Sequence, residues 1–111
     1  MSSAERITQF SKQEINELFQ KSNRIFYNNA VTVLAAPRSK DYARMLLVTP
    51  RVVGNAVKRN LLRRRLKEIF RKEDLPKKLQ FDLVVLARKP LTTYTFEELK
   101  QLIEKILANL P

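Results

Sequence analysis

Four basic residues recur at four-residue intervals in the middle of the chain: Arg59, Arg63, Lys67 and Arg71. Arg64 adjoins them, and one uncharged polar residue, Asn60, is set among them. Like charges at this spacing repel along a helix, so something outside the helix must reward the arrangement. Phosphate oxygens are the obvious reward, because arginine presents a planar fork of donors that matches them. Asn60 both donates and accepts, so it can read nucleotide groups that a bare charge cannot. Bond-breaking chemistry is poorly supplied by comparison. The chain has no histidine and no cysteine, which removes the commonest general base, the thiolate nucleophile and the thiolate metal site. One glycine is too few for a phosphate-cradling glycine loop. The carboxylates are scattered: Glu68 lies within the basic run, and Glu97 and Glu98 sit at a helix start where the dipole favours them. Asp82 opens a strand, where capping or a salt link suits it better than catalysis.

The element that must carry the basic residues is a helix of roughly 55–72, since no glycine or proline interrupts the run from Asn55 to Pro76. Gly54 offers a turn backbone and Asn55 is a good N-cap. At 100° per residue, Leu62, Leu66, Ile69 and Phe70 form a core-facing arc. Asn60, Arg63, Arg64, Lys67 and Arg71 form an adjacent one, with small Ala56 leaving room near its start. From Arg51 to Lys72 there are nine basic residues and a single acid, Glu68, in a chain of net charge +11. A run of this kind is also what a solvated face carries, or a basic helix that binds membranes or calmodulin-like partners. Asn60 has the alternative of filling surface or bonding to nearby backbone.

At 111 residues the chain reads as one small domain, and 44% hydrophobic content suffices for a core. Residues 1–9 are polar and expected to be loosely held. Ser11-Lys12-Gln13-Glu14 is a capping box, with Phe10 and Ile15 available as a hydrophobic staple, opening a helix of roughly 12–22. Ile15, Leu18 and Phe19 share one face of it; core packing is the plain reading for them, above all for Leu18. A short strand is expected at 24–27 and another at 30–36, ended by Pro37. Alternation puts Val31, Val33 and Ala35 on one side of the latter and Thr32 and Leu34 on the other. A turn at 37–41 leads to a strand over 42–49, and the short link predicts that these two strands are antiparallel neighbours. Residues 73–80 read as a loop containing Pro76. The run Leu83-Val84-Val85-Leu86 marks a strand buried on both faces. Thr95-x-x-Glu98 is a second capping box, opening a helix to about 109 with Phe96, Leu99, Leu102, Ile103, Ile106 and Leu110 as its apolar stripe. The order is α-β-β-β-α-β-α, an α+β or layered α/β domain. No apolar run is long enough to span a bilayer and no secretory signal is visible, so a cytoplasmic protein is expected.

The run Gly54-Asn55-Ala56-Val57-x-Arg59-Asn60-x-x-Arg63-Arg64-x-x-Lys67-Glu68 resembles the signature of the bacterial ribonuclease P protein subunit family. The resemblance extends over most of the chain, through FDLVVLARKP to the final helix. Three positions depart from it: Leu61 stands where a third basic residue commonly follows, Lys67 replaces a frequent Arg, and Arg65 a frequent apolar residue. The resemblance implies a ribosomal-protein-like two-layer α/β sandwich with a left-handed β-α-β crossover into the basic helix, against the right-handed general rule. It implies an endoribonuclease holoenzyme in which a catalytic RNA, using Mg2+, removes the 5′ leader of precursor tRNA. The protein would hold no cofactor or metal and supply no catalytic residue, its partners being that RNA and precursor tRNA, not DNA or membrane. Carried onto this chain, the RNA-binding residues are Arg51, Asn55, Arg59, Asn60, Arg63, Arg64, Lys67 and Arg71. The leader would lie in a cleft between first helix and sheet, lined by Ile15, Phe19, Val31, Val33 and Val48. The family often has aromatics at Ile15 and Val33, so weaker stacking of leader bases is expected here. The rival readings are a ribosomal or other structured-RNA protein with no role in cleavage, and a stand-alone nuclease.

Overall fold

A computed structural model describes residues 7–111. Helix α1 (Lys12–Lys21) is followed by strands β1 (Asn23–Tyr27), β2 (Val31–Pro37) and β3 (Met45–Val48). Helix α2 (Ala56–Lys72), a single-turn helix α3 (Leu75–Lys78), strand β4 (Phe81–Ala87) and helix α4 (Phe96–Ala108) complete the chain. The capping boxes are formed at both ends of the molecule: Ser11 and Glu14 exchange side-chain and backbone hydrogen bonds, as do Thr95 and Glu98. Asn55 caps α2 by accepting from the Lys58 N–H at 2.9 Å. Gly54 lies in extended backbone, not in a turn that needs glycine. Where a loop was expected after α2, Asp74 turns into the left-handed region and α3 forms. Pro76 is tolerated in its first turn, where no intrahelical N–H is needed, and buried Leu75 anchors it.

The sheet order is β1-β2-β4-β3. The expectation that β2 and β3 are neighbours is therefore corrected. They run antiparallel, but β4 lies between them, antiparallel to β2 and parallel to β3. The reason is in β4 itself. Its continuous apolar run needs cover on both faces, which the centre of a sheet provides and an edge does not. The β3 strand is also shorter than expected, because Tyr42–Arg44 leave the ladder. Arg44 is buried there, its guanidinium bonded to the Glu14 carboxylate at 2.9 Å and to the Gln9 carbonyl at 3.0 Å. Asp82 accepts the Arg44 backbone N–H at 2.8 Å, which makes it the strand-end link read from sequence.

The sheet separates two apolar clusters. On one face Val31, Val33, Ala35, Met45, Leu83 and Val85 pack with Leu62, Leu66, Ile69 and Phe70 of α2 and with Leu99, Leu102, Ile103 and Ile106 of α4. Ile7 is buried to 1% exposure in this cluster, so the loosely held segment expected at 1–9 does not include it; residues 1–6 lie outside the described residues. On the other face α1 sets Leu18 over Ala36 and Val84, with Phe10, Leu34, Leu46, Val48 and Leu86 half-buried around them. This second face is only partly covered, and that incompleteness matters below.

Candidate nucleic-acid interface

Helix α2 divides as its periodicity demands. Its apolar arc is buried, and the basic arc faces out: Asn60, Arg63, Arg64 and Arg71 are exposed, Arg59 and Lys67 partly so. Two of the arginines are anchored. The Nε–H of Arg59 donates to the Gly54 carbonyl at 3.1 Å, and that of Arg63 donates to the Thr49 hydroxyl at 2.9 Å. Both bonds use the Nε–H and leave the two terminal amino groups of each guanidinium available to other partners. Preorganised forks of this kind lose less freedom on gripping a phosphate. Arg63, Arg64 and Lys67 also line a groove of about 350 Å3 with Thr8, Met45, Leu46 and Leu47 of the edge strand β3.

The remaining basic residues differ in role. Arg71 is paired with Glu68 at 2.6 Å, and Lys72 approaches the same carboxylate at 3.6 Å. These cations, the Arg71 hydrogen bond first, hold the Glu68 carboxyl below its ordinary value. Part of the Arg71 fork is therefore already occupied by a carboxylate, whose negative charge opposes a phosphate beside it. Arg65 turns away from the arc and donates to the Tyr94 carbonyl at 3.3 Å. Asn55 has its side-chain oxygen engaged in the cap, and Arg51 is exposed in the 3-10 turn Arg51–Val53 that leads into α2. Among the described residues no three His, Cys, Asp or Glu side chains stand together in a way that could hold a metal ion.

The expected leader cleft needs correcting at two of its five residues. Val31 and Val33 have no exposure and belong to the cluster under α2 and α4. The alternation was read correctly but assigned to the wrong side. The face beneath α1 carries Thr32, Leu34 and Ala36, opposite Leu86, Val84 and Asp82 of β4, with Leu46 and Val48 beyond. In the sequence, the polar Thr32 in the set with Leu34 and Ala36 marked that side. Val48 is on this face as expected, Ile15 is half-buried, and Phe19 is 42% exposed. The Arg63–Thr49 bond joins the basic arc to the sheet one residue beyond Val48, so arc and open face meet at the end of β3. Sequence reading missed Arg24, Tyr27 and Arg88. They converge because Tyr27 pairs with Thr32 in the β1–β2 ladder, and Arg88 donates to the Thr32 hydroxyl at 3.3 Å.

Two carboxyl groups at the base of α1 are shifted in opposite directions. Glu14 is held below its ordinary value, first by the Ser11 backbone N–H and then by Arg44. Asp82 is pushed up by burial, which outweighs its bonds to Arg44. Both belong to the link that seats α1 on the sheet.

The ribonuclease P family model matches residues 1–111. The ribonuclease P protein component of Petrotoga mobilis is 32% identical over 103 residues, covering 89% of this chain and 86% of that protein. That of Bacillus pumilus is 30% identical over 94 residues, covering 85% and 79%. The solved RNase P protein of Thermotoga maritima matches with a TM-score of 0.78 at 26% identity, over 94% of this chain and 97% of that one. The Staphylococcus aureus RNase P protein shares the fold, with a TM-score of 0.79 at 22% identity over 92% and 93% of the two chains. With a family model matched along its whole length and relatives at this level of identity, the chain that carries this anchored basic arc belongs to the ribonuclease P protein family.

Proposed function

We propose that this chain is the protein subunit of a ribonuclease P ribonucleoprotein, binding the catalytic RNA and the 5′ leader of precursor tRNA while the RNA cleaves. The observation that carries this is the arc of Arg59, Asn60, Arg63, Arg64 and Lys67, two of its guanidinium groups already fixed through Nε. Those groups are assigned to phosphates of the structured RNA. Each phosphate they neutralise releases counterions and steepens the salt dependence by roughly 0.7–0.9 units. The open sheet face beneath α1 takes the leader. It is apolar, partly covered and continuous with the arc, and single-stranded bases can turn their faces to it where a duplex cannot. Among the described residues the carboxylates form no cluster that could hold a divalent ion, which supports assigning the Mg2+ of the reaction to the RNA. When bound there, it would activate the attacking water and stabilise the leaving oxygen. A cytoplasmic setting is part of the same proposal.

Reconstitution tests this reading. The protein is mixed with a bacterial ribonuclease P RNA, and precursor tRNA cleavage is followed at low magnesium. Faster cleavage than by RNA alone, with tighter binding of precursor than of mature tRNA, is the expected result. Binding of the RNA with no change in cleavage would instead favour a structured-RNA protein outside the processing reaction.

A further inference from the structure

We propose that Arg24, Tyr27 and Arg88 form a nucleobase-stacking subsite for single-stranded RNA at the β1 edge of the open face. This deepens the leader reading above and rests on it for the identity of the natural strand. Tyr27 ends β1 with 56% of its surface exposed, so its ring is open to a ligand. Its pairing with Thr32 places it on the α1 side of the sheet, in line with Leu86 across β2. Two guanidinium groups converge on its ring, Arg88 at 5.0 Å and Arg24 at 5.4 Å from the centroid. Arg88 is held there by its bond to the Thr32 hydroxyl and by its backbone N–H, which donates to the Ala30 carbonyl at 2.9 Å.

Among the described residues neither Arg24 nor Arg88 has a carboxylate partner. Two like charges gathered at one exposed ring repel, and the ring's attraction for a cation in water is weak. An incoming polyanion removes that repulsion. The planar groups add the second half of the argument. A tyrosine ring and two guanidinium planes present flat faces on which bases stack, and the charges lie where flanking phosphates would run. The aliphatic residues of the open face, Leu34, Leu46, Val48 and Leu86, offer no such face. Phe19 on α1 is 42% exposed above this face, and Tyr27 adds a second exposed aromatic at the β1 edge of the sheet itself.

The test uses the purified protein with a fluorescent single-stranded RNA of about ten nucleotides, and the same length of RNA closed as a hairpin duplex. Tyr27→Ala is expected to weaken the single strand by roughly fivefold to a hundredfold and the duplex by less than about twofold. Tyr27→Phe should retain wild-type binding, since stacking needs the ring and not the hydroxyl. Arg24→Gln should lower the salt slope for the single strand by about 0.7, the value for one phosphate. Thermal melts confirm that each variant is folded. Single-strand affinity of Tyr27→Ala within about twofold of wild type overturns the subsite, as does equal loss on strand and duplex, or a Tyr27→Phe protein as weak as Tyr27→Ala. The probe needs no catalytic RNA. A failure here leaves the ribonuclease P reading to its reconstitution test, and a failed reconstitution leaves a stacking result intact.

Discussion

Arg63 and Arg65 are two residues apart on one helix and do different work. Arg63 is fixed by Thr49 with its terminal amino groups available, whereas Arg65 donates one of those groups to the Tyr94 carbonyl. Arg63→Ala, Arg64→Ala and Lys67→Ala should each flatten the log-log plot of RNA affinity against salt by roughly 0.7–0.9 units. Arg65→Ala should change the slope much less and lower the melting temperature instead. Filter binding over a salt series decides this, and equal slopes for all four variants would mean a diffuse positive field. Asn60 makes a separate test. It is exposed and bonded to nothing in the described fold, so Asn60→Ala should leave stability within about 0.5 kcal/mol. RNA affinity should fall by about 1 kcal/mol at constant salt slope, because a hydrogen bond is lost without a charge. Unchanged affinity for both RNA subunit and precursor would remove Asn60 from the interface.

Strand β2 has two faces in two different surroundings. Val33 faces Val85 in the cluster beneath α2, and Leu34 faces Val84 beneath α1. Val33→Asp buries an unpaired carboxylate and should unfold the domain, since its cost is comparable with the whole stability of about 5–15 kcal/mol. Leu34→Asn should remain folded while losing preference for precursor over mature tRNA. Circular dichroism melts and paired affinities check both; a Leu34→Asn protein with full leader preference would move the leader off this face. Helix α1, which covers that face, depends on its N-terminal turn. Glu14 has a lowered pKa because the Ser11 N–H and Arg44 favour its charged form. Its contribution is therefore present above the ordinary value of 4.5 and is lost as pH falls through the depressed one. Glu14→Gln should lower stability by about 1 kcal/mol near neutral pH, with the gap to wild type closing in acid. Asp82 works in the opposite sense: burial raises its pKa, so it costs stability as pH rises through that value. Urea midpoints measured from acid to neutral pH for wild type and Glu14→Gln separate the two.

As a whole the molecule is a positively charged scaffold with a basic helix on one side of a sheet edge and a half-covered apolar face on the other. It has no histidine or cysteine, and its described carboxylates form no metal cluster. Protein freed of RNA should therefore leave precursor tRNA uncut, with or without magnesium. Metal-dependent cleavage by such protein, abolished by changing one carboxylate, would assign the chemistry to the chain itself. No helix of the described residues is long and apolar enough to cross a membrane.

The local order of the chain determined much of this. Periodicity and capping residues act within a few positions, so α1, α2 and α4, their caps and the buried faces of α2 and α4 were readable from the letters, while of the apolar face of α1 only Leu18 is buried. So was the identity of β4 as a strand covered on both sides. The signature around Arg59 and Asn60 carried the family. Tertiary structure alone decided that β4 separates β2 from β3, because a short link limits distance but not what inserts between two strands. It also decided which side of β2 is open. Alternation defines two sets of residues, and only the helices arriving from elsewhere settle which set they cover. The same holds for Arg63, whose partner Thr49 is set by the approach of α2 to β3, while the Arg59 bond to Gly54 is local, and for Tyr27 with Arg88, which meet only once β1, β2 and β4 are in register.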